Sequence, residues 1–165
     1  MNLGMYDRSI EIAGRLDEKG AVIPEVAVAL LDAAVGIGDV EILQEFADPG
    51  AGFDGAGERA AFLNQIRAAG LETAFGRTQR AVARLTQGKQ AAYSAMICVT
   101  EEGPELSALV FVLMPREQRR DLEQIIDDAV DAELSEMGLP PGSMIPLVTT
   151  TVLPHTARWA PRLQS

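Results

Sequence analysis

Gln90-Ala91-Ala92-Tyr93-Ser94-Ala95-Met96-Ile97-Cys98-Val99-Thr100 leads through Glu101-Glu102-Gly103-Pro104-Glu105 into Leu106-Ser107-Ala108-Leu109-Val110-Phe111-Val112-Leu113-Met114. Tyr93, Ala95, Ile97 and Val99 alternate with Ser94, Met96, Cys98 and Thr100, the period of a half-buried strand. Between the two runs, Gly103 supplies permissive dihedrals and Pro104 fixes its own φ, which marks Glu101–Glu105 as a turn. Two such runs around a short polar loop predict a β-hairpin. The second run, from Leu106 to Met114, is apolar on both faces, so it is expected to be a central strand covered on both sides.

Downstream, Pro115 suits the first position of a helix, where its missing N–H costs nothing. Leu122, Ile125, Ile126, Ala129, Val130, Leu134 and Met137 recur at helical spacing, opposite Glu123, Asp127, Asp128, Asp131 and Glu136. Gly138 and Pro140-Pro141-Gly142 end the helix. Met144 to Leu153 is a third β candidate, and Pro146 marks it as an edge strand or a bulged one. The order strand, strand, helix, strand predicts a sheet backed by a helix.

Upstream the pattern is helical. A first stripe, Ile10, Ile12, Ala13 and Leu16, ends at Gly20. Val26 to Val35 is apolar on every side apart from Asp32, which predicts a buried central helix broken by Gly36 and Gly38. Asp39 suits the cap of a short helix carrying Ile42, Leu43 and Phe46. Gly57 to Ala69 reads as a helix with Ala61, Phe62, Ile66 and Ala69 inward. Leu71 to Gln87 follows with Leu71, Phe75, Val82 and Leu85. Helices thus precede the sheet, and the fold class is α+β: a helical N-terminal half packed with a small, mainly antiparallel sheet. One domain spans residues 1–165, divided into a helical part (1–88), a β-β-α-β part (89–153) and an extended tail (154–165).

Composition narrows the function classes. The 165 residues are 47% apolar, enough for one domain with its own core. Net charge is −10, which opposes non-specific attraction to nucleic acid or anionic lipid. The charge is uneven. Residues 1–57 hold eleven acids and three bases, residues 58–120 six acids and nine bases, and residues 121–165 seven acids and two bases. Aromatic residues, at 5%, do not interleave with bases as they do in single-strand binders. The first residues lack the basic flank and apolar core of a signal peptide, and Pro24, Glu25 and Asp32 interrupt the longest apolar stretch. The expectation is a cytoplasmic protein without membrane association.

No motif supplies catalytic machinery. The single cysteine, Cys98, excludes an intrachain disulfide and a multi-cysteine zinc site, and its apolar strand predicts a buried, inert thiol. The single histidine, His155, cannot provide a histidine metal set. It lies beyond the last strand, with no G-x-S-x-G elbow in the chain. Gly50, Gly52 and Gly55 fit G-x-G-x-x-G, but a helix and not a strand precedes them, and Asp48 and Asp54 would repel a phosphate. The loop also lacks the alternating oxygen ligands of a calcium site. No cofactor and no metal are expected.

Charged stretches carry the remaining candidates. Arg116, Arg119 and Arg120 occupy the start of the helix after Pro115, against the preference of the macrodipole for anions there, which suggests an anionic or acidic partner. Asp127, Asp128 and Asp131 form an acidic face on the same helix. Arg77, Arg80 and Arg84 fall on one side of the Leu71–Gln87 helix and either pair with acids of the chain or grip an anionic partner. In the tail, Trp159 is expected to dock with Arg158 beside it, on its own domain or on a neighbouring subunit. The leading expectation is a non-enzymatic protein that binds another protein or itself, as an adaptor, inhibitor, chaperone or assembly subunit of phage, plasmid or secretion type. A second reading is a small enzyme or small-molecule binder with a pocket between the helical half and the sheet, anchored by Asp32, Arg119 or His155. A third is an acidic mimic of nucleic acid.

Overall fold

The computed structural model describes residues 33–48, 50, 55–87 and 91–155. Residues 33–37 are helical. Then come α1 (Val40–Phe46), α2 (Ala56–Ala68), α3 (Glu72–Thr86), β1 (Ala91–Thr100), β2 (Gly103–Val112), α4 (Arg116–Glu136) and β3 (Val148–Pro154). This is the α+β arrangement that the pattern predicts, with helices concentrated before a three-stranded sheet of order β1-β2-β3. Asp32, Asp54, Arg158 and Trp159, and with them the tail beyond His155, lie outside the described residues.

Pairing in the sheet is mixed. β1 and β2 are antiparallel, with Thr100 opposite Gly103, while β2 and β3 are parallel, with Leu106 opposite Val148. The parallel pair follows from the length of α4. Its 21 residues, at 1.5 Å each, carry the chain back along the sheet by about 32 Å, so β3 starts at the same end as β2. The hairpin turn is tighter than Glu101–Glu105, because only Glu101 and Glu102 lie outside the strands. Pro104 is tolerated inside β2 for a geometric reason. The Leu106 N–H donates to the Leu147 carbonyl (2.9 Å), so alternate residues of β2 direct their amides toward β3. Pairing with β3 begins only at Leu106, so the donor missing from Pro104 costs no ladder bond. Pro146 falls before β3, in the turns at 141–147, and β3 itself is an edge strand.

The described helices pack on one face of the sheet. Leu106, together with the half-buried Tyr93, Ala95, Ile97 and Val148, packs with Phe62, Leu63, Ile66 and Phe75. Val110, Val112 and Val152 pack with Val82, Leu122 and Ile126. Phe62 and Phe75 meet edge to face, with centroids 5.7 Å apart. On the other face Phe111 is fully buried, Cys98 is half-buried and Met96 is exposed. β2 is therefore central, as expected, and Cys98 is less buried than its apolar strand suggests.

Several inward assignments shift. Ala61 and Ala69 are exposed, and Leu63 and Arg59 take their place on the buried face of α2. Arg59 is buried because its Nε donates to the Phe46 carbonyl (2.8 Å), an acceptor left open at the end of α1. Ile125, about 100° round α4 from Ile126, is half exposed. Gly36 continues the helix at 33–37, and the break comes at Gly38. Asp39 caps α1 as expected, its Oδ1 accepting from the Glu41 and Ile42 amides at 3.1 Å each.

Candidate functional site

α3 and α4 lie side by side, and ionic contacts fix their alignment. Arg77 Nε donates to Glu133 (2.7 Å), its Nη2 reaches Glu136, and Arg84 Nη2 donates to the other Glu133 oxygen (2.9 Å). The two carboxylates hold the Arg77 guanidinium above its ordinary pKa, chiefly by accepting its hydrogen bonds, Glu136 first and then Glu133. Arg80 donates to the Ile37 carbonyl at 3.2 Å. The α3 arginines are therefore engaged inside the chain.

Acids further back along α4 have no such partner. Among the described residues, no base lies within ion-pairing distance of Asp127, Asp128 or Asp131. Asp128 accepts from the Gln124 side chain (2.8 Å), and Asp131 Oδ1 accepts from the Gly142 N–H (2.9 Å). Asp127 has neither kind of contact. Its carboxyl is held above the ordinary range, first by partial desolvation and then by the like charges of Asp131, Glu123 and Asp128.

Asp127 and Asp131 line a groove of about 250 Å³ where α4 faces the end of the sheet. Ile126, Val130, Met144 and Ile145 supply its apolar wall, and Thr78, Gln79 and Thr150 its polar surface. Gln79 is 2% exposed, and its Oε1 accepts a long hydrogen bond from the Tyr93 hydroxyl (3.4 Å). Thr78 bonds back to the Ala74 carbonyl at 2.8 Å. The bond from Gly142 to Asp131 ties the loop after α4 to the helix and forms the rim of the groove. A second cavity, about 330 Å³, lies beside β1 and is lined by Val35, Glu58, Arg59, Met96, Ile97 and Leu106 among others.

The remaining candidates are dispersed. Arg116 and Arg120 are exposed at the start of α4, whereas Arg119 is half-buried and folds back, its Nη1 donating to the Met114 carbonyl at 2.8 Å. Arg119 thus helps to close the turn that enters α4. Glu123, four residues on and so within reach of Arg119 by helical spacing, accepts instead from the Val152 N–H (3.3 Å), a link between α4 and β3. The three arginines do not share the groove of Asp127 and Asp131. His155 donates its backbone N–H to the Val112 carbonyl (3.2 Å) and extends the sheet edge. Among the described residues no three His, Cys, Asp or Glu side chains group as a metal site, and no helix is long and apolar enough to cross a membrane.

Asp127 and Asp131 are legible in the sequence as part of an acidic helical face, but their surroundings are not. Gln79 and Thr78 come from a helix some 50 positions away in sequence, and Met144 lies in a segment expected to be a strand. Met144-Ile145 between Gly142 and Pro146 was the available signal, an apolar pair inside a turn-rich run. Comparison with protein-family models, curated proteins and solved structures gives no match.

Proposed function

We propose that the protein acts by binding another protein, and that the acidic stretch of α4 around Asp127, Asp128 and Asp131 is its contact surface. The observation that carries this reading is the division of labour on α4. Glu133 and Glu136 are paired with Arg77 and Arg84, while the three aspartates meet no cation among the described residues. Crowded like charges raise the energy of the free surface, and a basic partner removes that cost on binding. A symmetric contact with a second copy of the chain would bring acids against acids at this surface, which favours a different, basic protein as the partner. A small-molecule site has less support: the groove is smaller than the usual 300–1,000 Å³ of ligand pockets, and the second cavity, at about 330 Å³, only reaches the lower end of that range.

The test is a comparison of wild type with the triple variant Asp127→Asn, Asp128→Asn, Asp131→Asn in pull-downs from the native host. Asparagine preserves the acceptor for Gly142, so circular dichroism of the variant should match wild type. A stoichiometric basic partner that is retained by wild type, released by moderate salt and lost from the variant is the expected result. A partner captured equally by both proteins, or none at all, refutes the reading.

A further inference from the structure

The groove beside the acidic face has a more specific chemistry than the face itself. Asp127 and Asp131 are one helical turn apart, which brings their carboxylates to the same side at a separation of about 5–6 Å between Cβ atoms. Asp131 is held in place through Oδ1 by the Gly142 N–H, and Asp127 has no hydrogen-bond partner among the described residues. Ile126, Val130, Met144 and Ile145 line the same groove. Gln79 contributes a buried amide. Its Oε1 accepts a long hydrogen bond from the Tyr93 hydroxyl (3.4 Å) and, as a carbonyl oxygen with two lone pairs, keeps one acceptor position.

We propose that this groove seats one arginine side chain of the protein partner, with the guanidinium between Asp127 and Asp131 and the aliphatic stem along Met144 and Ile145. The assignment rests on the reading of the α4 acidic face as the contact surface. Two carboxylates on one side of a helix suit a planar fork of five donors better than a single ammonium point charge. An apolar wall beside paired acids suits a side chain with an apolar stem and a charged head. The weak hydration of guanidinium lowers the cost of entering a half-enclosed site. The cation also relieves the repulsion that Asp127 experiences from Asp131, Glu123 and Asp128.

The experiment is an amide-resolved NMR titration of the full chain with N-acetyl-arginine amide, with N-acetyl-lysine amide and the neutral isostere N-acetyl-citrulline amide as comparators. Arginine should give saturable shifts at Gln79, Asp127, Asp131, Gly142 and Thr150, with an affinity of about 1 mM for so small a probe. Lysine should bind at least about threefold more weakly, and citrulline should not saturate. Asp127→Asn should weaken arginine about tenfold, and Asp121→Asn, at an exposed position on an earlier turn of α4, should change nothing. No localised shift, citrulline matching arginine, or lysine matching arginine would overturn the proposal. If the titration fails while partner capture still depends on the three aspartates, the groove assignment falls alone. If capture survives the triple variant while the titration succeeds, it is the reading of the acidic face that falls.

Discussion

Replacing Gly38 by alanine tests the crossing on which the helical layer is built. Gly38 has φ +65°, a region where an L side chain is disfavoured by about 1–2 kcal/mol. A Cβ placed there would lie 2.5 Å from Gly76 Cα and 2.8 Å from the Phe75 carbonyl oxygen, both main-chain atoms that cannot rotate away. Relief requires the segment at 33–38 to move off α3, an overpacking cost of about 1–3 kcal/mol. The expected loss is therefore about 2–5 kcal/mol, a large share of the stability of about 5–15 kcal/mol usual for a domain. Gly70→Ala separates the two contributions, because Gly70 has φ +69° and nothing within 4 Å of the added atom. It should cost only the conformational part, about 1–2 kcal/mol. Gly76→Ala meets one oxygen, that of Gly38, at 3.3 Å. Its gain in helix propensity, up to about 1 kcal/mol, should leave it near neutral. Urea unfolding followed by circular dichroism measures all three, provided the m-value is unchanged. Equal losses for Gly38→Ala and Gly70→Ala would mean that the close crossing of the two glycines does not exist.

Asp127→Asn should stabilise the protein near pH 7. A carboxyl whose folded pKa is raised above 3.8 favours the folded state below that value, and this contribution is lost as pH rises through the folded pKa. The gain in melting temperature should therefore shrink below about pH 4, and a gain that is the same at both pH values would contradict the raised pKa. Asp39→Ala removes the acceptor for the Glu41 and Ile42 amides and should cost about 1 kcal/mol in urea unfolding, whereas no measurable loss would show that the cap is dispensable.

Local chemistry made much of the fold legible. The cap at Asp39, the helix after Pro115 and the strand carrying Tyr93, Ala95 and Ile97 each depend on residues within a few positions of one another, and each appears where the spacing puts it. Val99 at the end of that strand is nevertheless exposed, and Pro115 caps α4 instead of being its first residue. The errors fall where local chemistry was overruled. Pro104 looked like a turn residue, yet it sits in β2 because its missing donor faces a side where β3 has not begun. Arg119 looked like an exposed cation facing an anion, yet a nearby carbonyl takes its guanidinium. Ala61 and Ile125 satisfied the helical period and still lie outside the core, because a stripe read from sequence is wider than the surface a neighbour can cover.

The sequence by itself determined the α+β class, the position of most of the described helices and strands, and the placing of Asp127, Asp128 and Asp131 on one helical face. These follow from period and dihedral preference, which act between neighbours in the chain. Tertiary structure alone decided which charges are spent and which remain. Arg77 and Arg84 neutralise Glu133 and Glu136 across more than 45 positions of sequence, and Gly142 pins Asp131 beside Gln79. Whether a charge meets its opposite depends on distances of a few ångströms between separate elements, and no periodicity along the chain encodes those distances.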